Sequence, residues 1–178
     1  MATMFGKRVI LKWMNAKAFR ATYATFTGCS EKAHIRDLAT GLQWGKPGRK
    51  VWLNSCDHHG WSLCKFPDSK YSETCYRFVH EDEKGKKYLK LEGDDESDFR
   101  FVVKDDGDDP TINYNSKDRR SFYIKEGEKY NVIFSAFRRD VAVGIKGDHL
   151  YPTTDAALAA DWDIATETQS QCDFQYTK

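Results

Sequence analysis

The sequence predicts an all-β fold, and three observations carry that expectation. Apolar residues alternate with polar ones in short runs. Clusters of Gly, Pro, Asp and Asn interrupt those runs at intervals of about 8–14 residues. Only "AALAAD" at 156–161 has real helix propensity, enough for one turn inside a loop. This rhythm suits a barrel or a two-sheet sandwich.

The elements follow in order. Strands are expected at Arg8–Met14, where Val9, Leu11 and Trp13 alternate, and at Phe19–Phe26. After the turn cluster "WGKPGRK" at 44–50 come Val51–Ser55 and Trp61–Phe66, with Asp57–Gly60 as the hairpin turn between them. Cys75–His80 and Lys87–Leu91 follow, then the acidic turn "EGDDESD" at 92–98 and the strand Phe99–Lys104. "DDGDDP" at 105–110 separates this from Thr111–Asn115, and "NSKDRR" at 115–120 precedes Ser121–Lys125. Asn131–Phe137, Val141–Lys146, His149–Pro152 and Asp161–Ala165 complete the set, with "KGD" at 146–148 as a tight turn. No stretch is rich enough in Pro or Ser to act as a linker, so residues 1–178 are expected to form a single β-rich domain.

Bulk charge narrows the partners. The net charge of +1 argues against a polyanion binder acting through its whole surface, so nucleic acid is not the expected partner. The charge is unevenly spread. Residues 1–50 carry ten Lys or Arg against Glu31 and Asp37, and residues 81–109 carry twelve Asp or Glu against six Lys or Arg. The simpler reading is two solvated faces; the functional one is a basic N-terminal region that meets an acidic surface such as actin, nucleic acid or lipid headgroups. No apolar run approaches the roughly 20 residues of a membrane span. The basic start, "MATMFGKRVILKWMNAKAF", lacks the apolar core of a secretory signal; a mitochondrial presequence is a minor alternative to folded structure there. Five cysteines at irregular spacing, with no Asn-x-Ser/Thr sequon, predict mainly free thiols and a cytoplasmic setting. Secretion after signal removal is the alternative.

A weak internal similarity runs through the chain. "VWLNSCDHHGWSLCKF" from Val51, "INYNSKDRRSFYIKE" from Ile112 and "VAVGIKGDHLYPTT" from Val141 each give a strand, a polar turn and a second short strand. Strands such as "CYRFVHE", "FRFVVKD", "VIFSAF" and "DWDIAT" then return aromatic residues to the core. Units of the type "VAVGIKGDHLYP…DWDI" and "KKYLKLEGDDESDFRFV" resemble strand-pair units of the β-trefoil superfamily, in particular its fascin-like and lectin-like branches. The resemblance covers residues 51–165; residues 1–50 show no threefold register. It implies a β-trefoil-like barrel of about twelve short antiparallel strands, against the alternative of a two-sheet β-sandwich. It carries over no binding residue. The Gln-x-Trp signature of ricin-type lectins is missing, because Gln43 directly precedes Trp44.

Four candidate sites remain. "NSCDHHGWSLCKF" places Cys56, His58, His59 and Cys64 close together, with Cys75 beyond, but the spacing fits no common zinc pattern. A hairpin turn is the preferred reading, with a disulfide-capable pair across it as one alternative, and neither metal nor cofactor is expected. A small enzyme using Cys56, Asp57 and His58, or Cys64 or Cys75, would need the thiol beside a base; neighbours along a strand point to opposite faces. Asp105, Asp106, Asp108 and Asp109 surround Gly107 without the spacing of a calcium loop. Trp44 lies in the basic stretch "GLQWGKPGRK", where a Trp flanked by Arg49 and Lys50 suits stacking on a sugar or anchoring a protein. A lid packed over the barrel end is its alternative. The expectation is a non-enzymatic module that binds carbohydrate or protein through its loops. Its candidate residues are Trp44, Arg49, Lys50, Asp57, His58, His59 and Trp61.

Overall fold

Alternation gives a strand one apolar face, and many such faces can be buried together only if the sheet curls on itself. In the computed structural model, residues 12–14, 28–29, 32–54, 60–68, 73–105, 117–126 and 131–166 are described. They form β1 (Lys12–Met14), β2 (Gly28–Cys29), β3 (Ala33–Asp37), β4 (Gln43–Pro47), β5 (Val51–Asn54), β6 (Ser62–Asp68) and β7 (Glu73–Asp82). Then come β8 (Gly85–Glu92), β9 (Arg100–Asp105), β10 (Phe122–Glu126), β11 (Asn131–Ser135), β12 (Ala142–Lys146), β13 (His149–Thr153) and β14 (Trp162–Thr166). One 3₁₀ turn, Ala156–Leu158, lies within the expected helix-prone stretch. No helix among these residues is long and apolar enough to cross a membrane.

The pairing repeats three times. In β3–β6, β7–β10 and β11–β14 alike, the first strand pairs with the second, and the second and third form a hairpin. The first strand of each unit also meets the end of the unit: Ala33 opposite Trp61, Tyr76 opposite Phe122 and Asn131 opposite Trp162. Successive units join through β6–β7 and β10–β11, and β14–β3 closes the ring. A six-stranded barrel capped by three hairpins is a β-trefoil, so the sandwich alternative does not apply. The repeat begins at β3, eighteen residues before the segment whose sequence resembles a trefoil. β1 and β2 add to the outside, against β14 and β6. The expected strands Phe19–Phe26 and Thr111–Asn115 lie outside the described residues.

β3 and β4 were not expected as strands. β4, "QWGKP", contains residues that normally mark turns, and each has a structural reason here. Gly45 stands where a Cβ would meet Asn54 Nδ2 at 2.2 Å and the Trp52 carbonyl oxygen at 3.0 Å. Pro47 follows an irregularity in the β4–β5 register that begins at Trp44.

The core is aromatic. Trp44, Trp61 and Trp162 are fully buried, with ring centroids 5.5 Å between Trp44 and Trp61 and 5.6 Å between Trp44 and Trp162, both edge to face. Trp61 and Trp162 occupy equivalent places in the first and third units. Each donates its indole N–H to the second strand of its own unit, to the Gly45 carbonyl at 3.2 Å and the Val143 carbonyl at 3.3 Å. Phe122, at the equivalent place in the second unit, has no donor to satisfy. A buried ionic group sits beside the core. Asp118 accepts from Arg120 Nε and Nη2 at 2.8 and 2.7 Å and faces Arg77 at 3.5 Å. Burial pushes its carboxyl up, but the hydrogen bonds from Arg120 and the charge of Arg77 outweigh it and hold the group below its ordinary value.

The thiol expectation is corrected at one residue. Cys64 is disulfide-bonded, and in the strand register it stands opposite Cys29. Cys75 is a buried thiol.

Candidate binding surface

The three hairpins share one pattern of inward residues. By register, Trp44, Leu89 and Val143 are equivalent, and their partners are Leu53, Val103 and Pro152. In β5, Val51 and Leu53 both point into the core, so the residue between them must face out. That residue is Trp52, which is 44% exposed. In β13, Leu150 and Pro152 are buried, so His149 and Tyr151 share the outer face, and Tyr151 is 40% exposed. Trp52 and Tyr151 therefore hold the same position in the first and third hairpins. In the second hairpin the position belongs to Val102, which is buried.

These side chains form one surface. Trp52 is directly opposite His149, which is directly opposite Lys146, so the three make a row across β5, β13 and β12. The Trp52 and His149 rings meet edge to face at 5.7 Å. Lys146 Nζ lies 4.8 Å from the centre of the Tyr151 ring, close enough for a cation–π contact. A tight turn at Gly147–Asp148, with Gly147 at φ 64°, brings β12 and β13 together. The Leu53 N–H donates to the Asp148 carbonyl at 2.7 Å and ties β5 to that turn. Gly48 lies beside Trp52, such that a Cβ there would be 3.9 Å from the indole nitrogen. Exposed Arg49 and Lys50 complete this turn. Leu158, 64% exposed, follows a close approach of its own carbonyl to Gly144, the register partner of Tyr151.

A cleft of about 320 Å³ lies elsewhere, lined by Lys32, Lys46, Gly60, His80 and the turn Glu81–Lys84. His80 is buried, its ring 5.4 Å from that of Trp61. Asp82 is held below its ordinary value chiefly by the Lys84 backbone N–H, with help from Lys87, His80 and Lys46. The cleft brings together the stretch 43–50 and the end of the turn 57–61, the two segments expected to carry function.

The expected site residues divide as follows. Trp44 is a core residue on a strand, 2% exposed, so it cannot stack on a ligand as an exposed loop Trp would; it packs against Phe78, Trp61 and Trp162. Trp61 is likewise fully buried. Arg49 and Lys50 are exposed as expected. Asp57, His58 and His59 lie outside the described residues, as do Cys56, Asp106, Asp108 and Asp109. Sequence reasoning missed Trp52, Lys146, His149 and Tyr151. The signal was present in "VWLN" and "HLYP": two smaller apolar residues flank an aromatic one, and a strand can bury only one of the two sets. Among the described residues no group of three or more His, Cys, Asp or Glu is arranged to hold a metal ion.

No protein-family model matches the chain, and no curated protein does. Seven solved chains match in structure. The binding domain of botulinum neurotoxin DC in complex with rat synaptotagmin II aligns at TM-score 0.46 and 10% identity, covering 91% of this chain and 48% of that one. The botulinum neurotoxin serotype C1 binding domain aligns at 0.45 and 10%, covering 89% and 46%. The neurotoxin DC binding domain in complex with SialylT aligns at 0.46 and 9%, covering 88% and 46%. The chain spans about half the length of these structures. Its fold and surface stand on its own strand pairing and side chains.

Proposed function

We propose that this chain is a non-enzymatic binding module whose ligand is a carbohydrate, held on the face of Trp52, His149 and Tyr151. One observation supports the reading above the rest. Two large aromatic residues are exposed at equivalent positions of two hairpins, while the third equivalent position is buried. Folding gains little by leaving much of an indole in water, but a flat apolar ring is the surface on which the C–H face of a sugar stacks. The hairpins beneath are paired in register and packed on the core, so the rings are positioned before a ligand arrives, which lowers the entropy cost of binding. A protein partner is the second reading. It is favoured by Leu158, the most exposed of the large apolar residues described.

The sulfur bears on the proposed compartment. The disulfide at Cys64 favours an oxidising setting over the cytoplasm. Secretion then becomes the preferred localisation.

The test is a binding titration of wild type and Trp52→Ala against an immobilised panel of neutral and acidic glycans. The expected result is a loss of roughly 1–3 kcal/mol for the variant on every glycan that binds, as for loss of one stacking aromatic. Glycan binding that survives Trp52→Ala undiminished would move the site away from this face. Binding of a protein but of no glycan would favour the second reading.

A further inference from the structure

We propose that the saccharide held on the Trp52 face is an acidic one, carrying a carboxylate or sulfate group. This rests on the reading of that face as a sugar-binding surface and adds the ligand's charge. Local charge supports it. Arg49 and Lys50 stand in the turn that borders the Trp52 indole, and Lys146 ends the cross-strand row that Trp52 begins. All three are exposed, and among the described residues none of them makes an ion pair. Among the described residues of this row and its bordering turns, the acid is Asp148, whose carboxylate lies 3.5 Å from His149 Nδ1; Asp105 stands two residues along β9 from Val103, the backbone partner of Arg49. Among the described residues of this row and its bordering turns, three exposed cations without an ion pair, one of them over the Tyr151 ring, stand against one acid, inside a chain whose net charge is only +1.

The dimensions fit a small saccharide. Adjacent strands are about 4.8 Å apart, so the row from Trp52 through His149 to Lys146 spans about 10 Å. Tyr151 is two residues along β13 from His149, about 7 Å away. A sugar stacked on Trp52 or Tyr151 would thus place a ring substituent within reach of Lys146 on one side or of Arg49 and Lys50 on the other. The Arg49 carbonyl accepts from the Val103 N–H at 3.1 Å, so the backbone bearing these cations is pinned to β9. A single-stranded nucleic acid also combines stacking with charge, but it is tracked by an extended basic groove. Here, among the described residues, the cations stand at one end of a short row and in the turn that borders its other end.

The experiment uses the intact chain and three matched pairs of probes: hyaluronan hexasaccharide with its carboxyl-reduced form, chondroitin sulfate hexasaccharide with its desulfated form, and heparin-derived hexasaccharide with its desulfated form. Chitohexaose and a single-stranded DNA dodecamer complete the set. At least one acidic hexasaccharide is expected to bind about tenfold tighter than its neutralised partner, the sum of a few exposed charge pairs. The preference should shrink as salt is raised. The triple variant Arg49→Gln, Lys50→Gln, Lys146→Gln should lose the preference, with its thermal midpoint unchanged. Equal affinity for both members of every pair, with all binding lost in Trp52→Ala, would overturn the acidic ligand and leave the sugar site standing. No saccharide binding at all, or binding indifferent to Trp52→Ala, would overturn the sugar site itself. DNA binding tighter than any saccharide, and dependent on Trp52, would replace the acidic sugar with a nucleic acid.

Discussion

The first and second hairpins are the same unit of the fold with opposite chemistry. The turn of the first, Gly48–Lys50, is basic, and among the described residues its two charged side chains make no ion pair. The turn of the second, Gly93–Phe99, is acidic and tied into the structure. Asp98 Oδ1 accepts from the backbone N–H groups of Asp94 and Asp95, and Asp95 Oδ1 accepts from the N–H of Ser97. Arg119 donates to the Leu91 and Gly93 carbonyls and pairs with Asp94, and Arg138 lies over the Phe99 ring. Thr154, just past the third hairpin, donates to Glu96. The longest acidic stretch of the chain is thus partly scaffolding, while the short basic turn is free to meet a ligand. Local charge density is a poor guide to function until one knows which charges are already satisfied.

The largest test of this contrast is Asp118. With Arg120 it fixes the segment 117–120, from which Arg119 reaches the second hairpin. Asp118→Asn removes the carboxylate from two buried guanidinium groups and should cost about 3–5 kcal/mol of stability. The pH sign follows from the depressed carboxyl. Asp118 contributes fully above the ordinary carboxylate value of 3.8, and the contribution is lost as pH falls through the lower value of the folded state. Denaturant midpoints measured from pH 7 down to pH 2 should show this acid-dependent loss in the wild type and a shallower one in the variant. Parallel curves would mean that the pair does not anchor the segment.

Next come two tryptophans eight residues apart on the first hairpin. Trp44→Ala should cost about 3–5 kcal/mol in stability, the range for an aromatic removed from a packed core. Trp52→Ala should cost less, about 1 kcal/mol, since Trp52 is 44% exposed and its ring meets that of His149 only edge to face. Thermal melts of both variants decide the matter. Equal losses would mean that Trp52 is held by the fold rather than kept for a ligand.

Arg119→Ala against Arg49→Ala gives a smaller but cleaner contrast. Arg119 makes charge-assisted bonds to two carbonyls and covers the Phe137 ring, so its loss should cost about 1–3 kcal/mol. Arg49→Ala should be silent in stability, within about 0.5 kcal/mol. Amide exchange at residues 93–99 should accelerate in the first variant and not in the second. Silence from both would mean that the acidic turn holds itself together.

Much of the trefoil was legible because its later units obey period-two alternation between turn residues, as in "VAVGIKGDHLYP". The first two strands of the first unit were not, and the reason is physical. β3, "AHIRD", buries His34, whose ring nitrogen lies 2.6 Å from the buried Gln43 side-chain oxygen, so a polar pair crosses where an apolar one would be sought. β4 spends a Gly and a Pro on close approach and irregular register, residues that read as a turn until the neighbouring strand is known. The site was half legible for a related reason. Arg49 and Lys50 could be located from sequence, but choosing Trp52 over Trp44 requires knowing which of two aromatic residues in one hairpin fits the core.

The smallest expected effect is an acid titration within the second hairpin's turn. Asp95 is fully exposed, yet its carboxyl is held below the ordinary value of 3.8, first by the Ser97 hydroxyl and then by the Ser97 N–H. A lowered carboxyl gives stabilisation that is complete above its unfolded value and disappears as pH falls through its folded one. Carbon-detected NMR titration should therefore place the Asp95 midpoint below 3.8, and Ser97→Ala should move it back toward that figure. The same titration offers a control, because the Gly48–Lys50 turn contains no carboxylate and its resonances should stay still across the window. An Asp95 midpoint at or above the ordinary value, or one indifferent to Ser97→Ala, would return the acidic turn to the class of solvated charge. The two hairpins would then differ in the sign of their charges but not in how far those charges are committed to the fold.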